Sequence, residues 1–360
     1  MKLTTDVCIV GAGPGGALLA YLLAKQNISV ILLERFKEIA KEFRGEHLNE
    51  EGEEILKKYG LFEKIEELGL LRMERLEYWE NGELFKTVLP APNIGHLGIH
   101  VPQSHLLAVL INEAKKYSQF SLMTGTTVTD LIKDEEDCIK GVKANKEGKE
   151  IFIESNLVIG ADGRHSIVRK RAGIDVTVRK HGYDLLWAKI PAPQNWEPAI
   201  KMALIDGMQL SLFTQAKGYI QIGWNIPEGS FPALRKQHFT PFIDKLAKAF
   251  PQLETTVRNH IKSWSDFVLL DVQSNSTDCW GKDGLALIGD AVHTMTPTGA
   301  FGLNSAMKDA DTLATILTKQ TISTVDLMNC ATERKKAVEK LQAIQIEKEQ
   351  TFATQFVIYS

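Results

Sequence analysis

The residues best equipped for chemistry appear first within the opening seventeen positions. An apolar run, VCIV, leads directly into GAGPGG, which spaces Gly11, Gly13 and Gly16 as G-x-G-x-x-G. Asp6 to Val10 has the length and composition of a buried parallel strand, and the glycines predict a turn into a helix beginning near Gly15. Gly11 permits the tight turn, Gly13 lets a pyrophosphate approach the main chain, and Gly16 lets the helix pack on the strand. The unpaired N–H groups at the helix start then face the anion. The pattern alone is weak, and a second strand and its terminal acid give it weight. Ser29 to Glu34, SVILLE, reads as that strand, with the acid about 20 residues beyond the glycines, where a carboxylate accepts the ribose hydroxyls of an adenine dinucleotide. Glu34 and its neighbour Arg35 are therefore candidate cofactor residues.

Two later segments have a related form. Leu157 to Gly160 is a strand that runs into Asp162-Gly163, and Gly284 to Ile288 is a strand ending in Gly289-Asp290. The elements between them must bring these three ends together. Glu50 to Leu70 carries Ile55, Leu56, Leu61, Ile65 and Leu68 at roughly helical spacing and predicts one or two amphipathic helices. RLEYWENGELFKTVL predicts a hairpin turning at Asn81-Gly82. Val101 to Lys116 returns to helix, with Ser104 as its cap. Strands come next, with turns at Glu147-Gly148 and around Asp134 to Asp137. Val176 to Leu270 then reads as most of a second sheet, with turns at Asp206-Gly207 and Lys217-Gly218 and a helix near Pro241 to Ala249.

The bulk properties are those of a soluble enzyme: 360 residues, 44% hydrophobic, 24% charged and a formal charge of −3, with nothing that marks a nucleic-acid surface. Cys8, Cys138, Cys279 and Cys330 lie far apart, so no structural zinc site is visible and reduced thiols in the cytoplasm are expected. With only Lys2 before a strand broken by Asp6, no signal peptide is expected, and no run approaches 18 apolar residues.

GAGPGG, VIGADGRHSIVRK and ALIGDAVHTMTPTGAFGLNSAMKDA, in that order and spacing, resemble the three fingerprints of single-component FAD-dependent aromatic hydroxylases of the para-hydroxybenzoate hydroxylase-like superfamily, across residues 4 to 345. The resemblance implies an α/β fold, with a Rossmann-like FAD-binding domain (1–72, 101–175 and 276–330) interleaved with a β-sheet substrate domain (73–100 and 176–275). A C-terminal helical segment (331–360) is read as a cap, from partly registered Ala337, Leu341, Ile344 and Ile346. The resemblance also places Asp290 on the FAD ribityl chain and wraps Pro297 to Asn304 around the isoalloxazine, with Gly299, Gly302, Leu303 and Asn304 at the ring. A helix starting near Leu303 would stabilise charge on the N1–C2=O edge. Asp162 is linked to the pyrophosphate and to encounter with NADH or NADPH, beside basic Arg164, Arg169, Lys170 and Arg171. Arg44 resembles the family's arginine loop, and Gln103 stands where relatives touch FAD. His293 is expected to pack under the flavin, while His165 and His181 stay ambiguous.

The implied reaction is reduction of FAD by NAD(P)H, addition of O2 to give a hydroperoxyflavin, and hydroxylation or epoxidation of an aromatic or polyketide-like substrate. No acid–base pair is required and none is assigned. Trp79, Leu186, Trp187, Met202, Leu210, Leu212, Phe213, Tyr219 and Trp224 are candidates to line the substrate sheet, although alternation turns half of them away. Reduction of isoprenoid double bonds on the same fold is the alternative enzyme reading. Halogenation is disfavoured, because Ile222-Gly223-Trp224-Asn225-Ile226-Pro227 keeps only the second half of the halogenase WxWxIP signature. A flavin-binding partner without turnover is a third reading. Oligomeric state is not encoded legibly.

Overall fold

The computed structural model describes residues 1–39, 46–317 and 327–351, with side chains from 331 onward in the last stretch. They gather into two compact units. Unit 1 comprises Met1–Leu68, Gln103–Arg179 and Ser274–Gln345, and unit 2 comprises Gly69–Pro102, Lys180–Gln273 and the described residues from Ile346 on.

Unit 1 is organised by an eight-stranded sheet. Its strands are β1 (Lys2–Val10), β2 (Val30–Leu33), β3 (Phe120–Met123), β4 (Thr126–Lys133), β5 (Ile139–Lys146), β6 (Lys149–Gly160), β7 (Gly281–Lys282) and β8 (Leu285–Leu287). The order is β7-β8-β6-β1-β2-β3, with β5 paired to β6 and β4 to β5. From β8 to β3 all pairings are parallel. Central parallel strands are covered on both faces and must be apolar throughout, which Val7 to Val10 and Val30 to Leu33 satisfy. The helices are α1 (Pro14–Lys25), α2 (Glu50–Lys58), α3 (Phe62–Leu68), α4 (Gln103–Ala114), α5 (Ile167–Arg171), α6 (Phe301–Leu317) and α7 (Leu327–Thr351). α1 is buried from Gly15 to Ala24 because α4 and α6 pack against it.

Register decides where the site lies. Val10 pairs with Leu33 on one side and Gly160 on the other, and Gly160 pairs with Leu287. Four adjacent parallel strands therefore end on one line, at the carboxyl edge where such sheets bind ligands.

Several expectations are refined. The strand read as Leu157–Gly160 is the end of the twelve-residue β6, whose first half pairs with β5 in a hairpin turning at Glu147 and Gly148, both at positive φ. α4 begins at Gln103, so Ser104 lies inside its first turn and is not the cap; the Gln103 N–H donates instead to Glu46 Oε1 at 3.2 Å. The late helix begins at Phe301, two residues before Leu303.

Unit 2 has a seven-stranded sheet in the order Val268–Leu270, Tyr183–Pro191, Tyr219–Pro227, Met208–Gln215, Ile200–Ile205, Leu76–Glu80, Glu83–Val88. All neighbours are antiparallel except Ile200–Ile205 and Leu76–Glu80. One face packs on the helices Thr240–Ala249 and Glu254–His260, and alternation sends Leu186, Leu210, Leu212 and Trp224 into that core, with Trp79 packed against it. The Trp224 ring lies 3.6 Å from that of Phe242, centroid to centroid. Those five candidate substrate residues are structural, and Trp187, Met202 and Phe213 take the opposite parity. Tyr219 is exposed, with Lys189 Nζ 4.7 Å from its ring. Lys201 is buried against Glu77, its Nζ about equidistant from the Trp79 and Trp196 rings at 5.0 and 4.9 Å. Among the described residues no helix is long and apolar enough to cross a membrane.

Two glycines three positions apart should behave oppositely. A Cβ on Gly16 would sit 2.1 Å from the Gly11 carbonyl oxygen, whereas one on Gly13 would meet nothing within 4 Å. Gly16→Ala is expected to cost about 1–3 kcal/mol in urea unfolding of the cofactor-free protein, and Gly13→Ala less than about 0.5 kcal/mol. Equal losses would contradict this difference in packing.

Candidate cofactor site

The line of strand ends carries the residues singled out by sequence. β8 leads to Asp290, β6 to Asp162, β1 to Gly11 and β2 to Glu34, side by side in that order. Gly11 is at φ +106°, and a Cβ there would lie 2.3 Å from the Ala161 carbonyl oxygen, so the turn after β1 and the turn after β6 touch through their main chains. The Glu34 carboxylate folds back over the glycine turn, accepting from Ala12 N–H and Phe36 N–H, each at 3.1 Å. Arg35 is exposed, its guanidinium 4.6 Å from the Phe36 ring. Arg44 lies outside the described residues. Gln103 is buried at the start of α4.

Asp162 holds the start of α5, which Ser166 caps: its Oδ2 accepts from Ile167 N–H at 2.7 Å and Val168 N–H at 3.2 Å. Its Oδ1 is enclosed without a hydrogen-bond partner, and burial pushes the carboxyl pKa up. Arg169 is not part of a solvated basic flank. It is buried, donates to the Ala291 carbonyl at 2.6 Å and to that of Arg164 at 3.4 Å, and so ties the middle segment to the residue after Asp290. Burial lowers its pKa, against the opposing charge of Asp162. Arg171 donates to the Thr129 carbonyl, while Lys170 and His165 are exposed. His181, in unit 2, is held at 2.7 Å by Glu349.

After Asp290 the chain forms a short turn and then the loop from Pro297 to Gly302. Gly299 and Ala300 both have positive φ, +75° and +54°, a conformation that an alanine adopts only when its surroundings enforce it. A Cβ on Gly302 would come 3.9 Å from Asp290 Oδ1, so the carboxylate lies beside the start of α6. Leu303 is half-buried. The Asn304 side chain is used within the protein, donating to the carbonyls of His47 (3.1 Å) and Ala300 (3.0 Å) and accepting from Asn49 N–H (3.1 Å).

Of the groups that fix this loop, His293 and Asp309 lie within the late fingerprint, whereas Arg334 and Asn275 carry no sequence signature. Asp309, on α6, is buried and accepts from Gly289 N–H at 2.8 Å through Oδ2, which also lies 2.6 Å from His293 Nε2, while its Oδ1 accepts from Arg334 Nε at 2.8 Å. Burial raises the Asp309 pKa, but the His293 and Arg334 charges and hydrogen bonds outweigh it and hold the carboxyl below its ordinary value. His293 thus belongs to a buried network and stacks 5.1 Å from Trp280. Asn275 exchanges three hydrogen bonds with Thr294.

The donors suit FAD. The start of α1 has no side-chain cap and no acid in its first turn, and the space beside Gly13 is open; α2, by contrast, has Asn49 as cap and three acids in that turn. An uncapped, acid-free helix start is a site for a pyrophosphate. α6 also lacks an acid in its first turn. Carboxylates at the ends of β2 and β8 suit sugar and ribityl hydroxyls.

Fold and site together define a dinucleotide-binding flavoprotein. Residues 4–341 match the family model described as FAD binding domain, and the chain belongs to that family. It is 33% identical over 311 residues to a 6-methylpretetramide 4-monooxygenase of Streptomyces rimosus, spanning 85% of this chain and 73% of that relative. It is 25% identical to a 3-(3-hydroxy-phenyl)propionate/3-hydroxycinnamic acid hydroxylase of Burkholderia cenocepacia, over 86% of this chain and 56% of the relative. The crystal structure of pqsL, a probable FAD-dependent monooxygenase from Pseudomonas aeruginosa, superposes with a TM-score of 0.81 at 22% identity, covering 98% of this chain and 96% of the other. The chain is an FAD-dependent monooxygenase of the aromatic-hydroxylase family.

Asp309→Asn removes the charge that neutralises Arg334 and is expected to cost about 3–5 kcal/mol at pH 7 in urea unfolding. Because the folded-state pKa is lowered, this stabilisation is fully present above the unfolded carboxyl pKa of about 3.9 and is lost as pH falls through the folded value. The wild type should therefore lose stability in acid more steeply than the variant; parallel pH profiles would show that the carboxylate is not paired as described.

Proposed function

We propose that this chain hydroxylates or epoxidises an aromatic, polyketide-like small molecule in the cytoplasm, with NADH or NADPH as reductant and O2 as oxygen source. The observation that carries the reading is the alignment of Asp290, Asp162, Gly11 and Glu34 at four parallel strand ends beside the uncapped start of α1. In this reading the α1 N–H groups and Gly13 receive the FAD pyrophosphate, with Gly11 and Gly16 shaping the turn and Asp162 ordering the next one. Glu34, with Arg35 beside it in sequence, and Gln103 at the start of α4 serve the adenosine and phosphate side. Asp290 takes the ribityl hydroxyls, and Pro297, Gly299, Gly302, Leu303 and the Asn304 backbone border the isoalloxazine. Bound and reduced, FAD supplies the activation of O2; the protein's own part is to hold the ring, present N–H groups and the positive end of α6 to its pyrimidine edge, and exclude water.

Unit 2 supports an aromatic substrate. On the face its helices leave, Trp187, Gly223, Ser211, Met202 and Tyr78 form one rung across five strands. A Cβ on Gly223 would collide with the Trp187 ring at 2.4 Å, so the glycine lets the indole lie flat on the sheet. Phe213 stands 6.1 Å from that indole, and paired amides, Asn225 with Gln209 and Gln215 with Gln221, flank the rung. Stacking surface edged by amides suits a ring system bearing hydroxyl or carbonyl groups. The likeness to an enzyme acting on 6-methylpretetramide points the same way.

Asp290→Ala is expected to weaken FAD binding about 10–100-fold, the equivalent of one or two charge-assisted hydrogen bonds, as read by fluorescence titration. Full affinity would remove Asp290 from the site. Incubation with NADPH or NADH, 18O2 and a fused-ring phenolic probe should give a product heavier by one 18O atom. Substrate gaining two hydrogens and no 18O would establish the double-bond reductase instead.

A further inference from the structure

α7 is the least apolar of the long helices, yet one of its faces is buried: Ala331, Arg334, Val338 and Gln345, with Gln342 half-buried among them. Three of these five are polar, and each side chain bonds to the segment that leads into the flavin loop or to the network that fixes it. Arg334 reaches Asp309. Gln342 Nε2 donates to the carbonyls of Asn275 at 2.9 Å and Thr294 at 3.2 Å. Gln345 Nε2 donates to the carbonyls of Thr296 at 2.8 Å and Thr298 at 2.6 Å, one on each side of Pro297.

The Thr298 bond has a geometric consequence. In a planar trans peptide the C=O and the following N–H point in opposite directions. Holding the Thr298 carbonyl toward α7 therefore turns the Gly299 N–H away from α7, and Gly299 is exposed. The Thr296 carbonyl belongs to the peptide before Pro297, which has no N–H, so that second bond anchors the loop without turning away any donor. Gly299 is free to accept the opposite peptide orientation, and Ala300 beside it sits in a disfavoured region. The loop closes on itself through the Ala300 N–H, which donates to the Pro297 carbonyl, and Asn304 holds the Ala300 carbonyl; Gln345 reaches in from α7 to the carbonyls of Thr296 and Thr298.

We propose that Gln345 is a positioning residue for the flavin: by fixing the 298–299 peptide it keeps the Gly299 N–H presented to the pyrimidine edge, where it stabilises the negative charge of the reduced ring. This role rests on the assignment of the Pro297–Gly302 loop to FAD under the proposed function. The amide contributes only its donors to the loop, since its Oε1 is buried with no partner.

The test uses Gln345→Met, of similar length without donors, and Gln345→Glu, of the same shape but with an acceptor facing two carbonyls. Purified holoproteins are compared by FAD dissociation constant and by flavin midpoint potential, the latter independent of turnover. Both variants should weaken FAD binding about fivefold or more and lose about tenfold in preference for the reduced flavin, a drop of about 30 mV for a two-electron couple. Gln342→Met, which releases Thr294 but not Thr298, should lower stability and leave the potential in place. A wild type that binds no FAD overturns the proposed function and this inference with it. A wild type that binds FAD, with unchanged potential in whichever Gln345 variant folds, overturns the role of Gln345 alone.

Discussion

The Asp309 carboxylate is the constraint on which the cofactor end of unit 1 depends. It is buried and takes the Gly289 N–H just past β8, the His293 ring beyond it and the Arg334 guanidinium from α7. Enclosing three such groups is unfavourable unless every one is paired, so the network adds little net stability over an apolar core while making any other arrangement costly. That is how it specifies structure. With Gly289 fixed, Asp290 leaves the end of β8 in one direction, and with Arg334 fixed, the glutamines farther along α7 arrive opposite the carbonyls of Thr294, Thr296 and Thr298.

The sheet imposes the complementary constraint. Because Val10, Leu33, Gly160 and Leu287 share a register, the turns after their strands emerge side by side and must pass within main-chain contact of each other. Gly11 against Ala161, and Gly16 against Gly11, leave no space for a methyl group. Gly13 differs from both, since its missing side chain opens space where no protein atom sits. One motif thus combines two glycines held by close packing with one beside which the protein leaves space, the division of roles that the motif's spacing implies.

Much of this is legible in the sequence because its cause is local. The strand, turn, helix, strand and acid of residues 6 to 34, the hairpin at Asn81-Gly82 and the two later strand-to-aspartate steps are set by backbone chemistry within a few residues. The features that escape a reading of the sequence are set by packing at long range. Apolar periodicity is a poor guide to α7, because the side chains it buries against the loop are Arg334, Gln342 and Gln345, whose residue types signal a solvated face. Arg169 stands in a basic cluster along the chain, yet it turns inward to the Ala291 carbonyl. The Asn304 side chain joins the loop to residues 47 and 49, a pairing across the chain that no local pattern marks. Of the candidate substrate residues, sheet parity sends Trp224 and Leu212 into the core and Trp187 and Phe213 to the other face. Parity depends on strand bounds, and composition does not mark those to the single residue.

A crystal structure of the chain grown with FAD is the decisive measurement. The pyrophosphate is expected on the N–H groups at the start of α1 beside Gly13, the ribityl hydroxyls on Asp290, and the Thr298 carbonyl still bonded to Gln345 with the Gly299 N–H turned to the ring. FAD bound away from these strand ends, or a 298–299 peptide flipped in its presence, would contradict the assignment of the site.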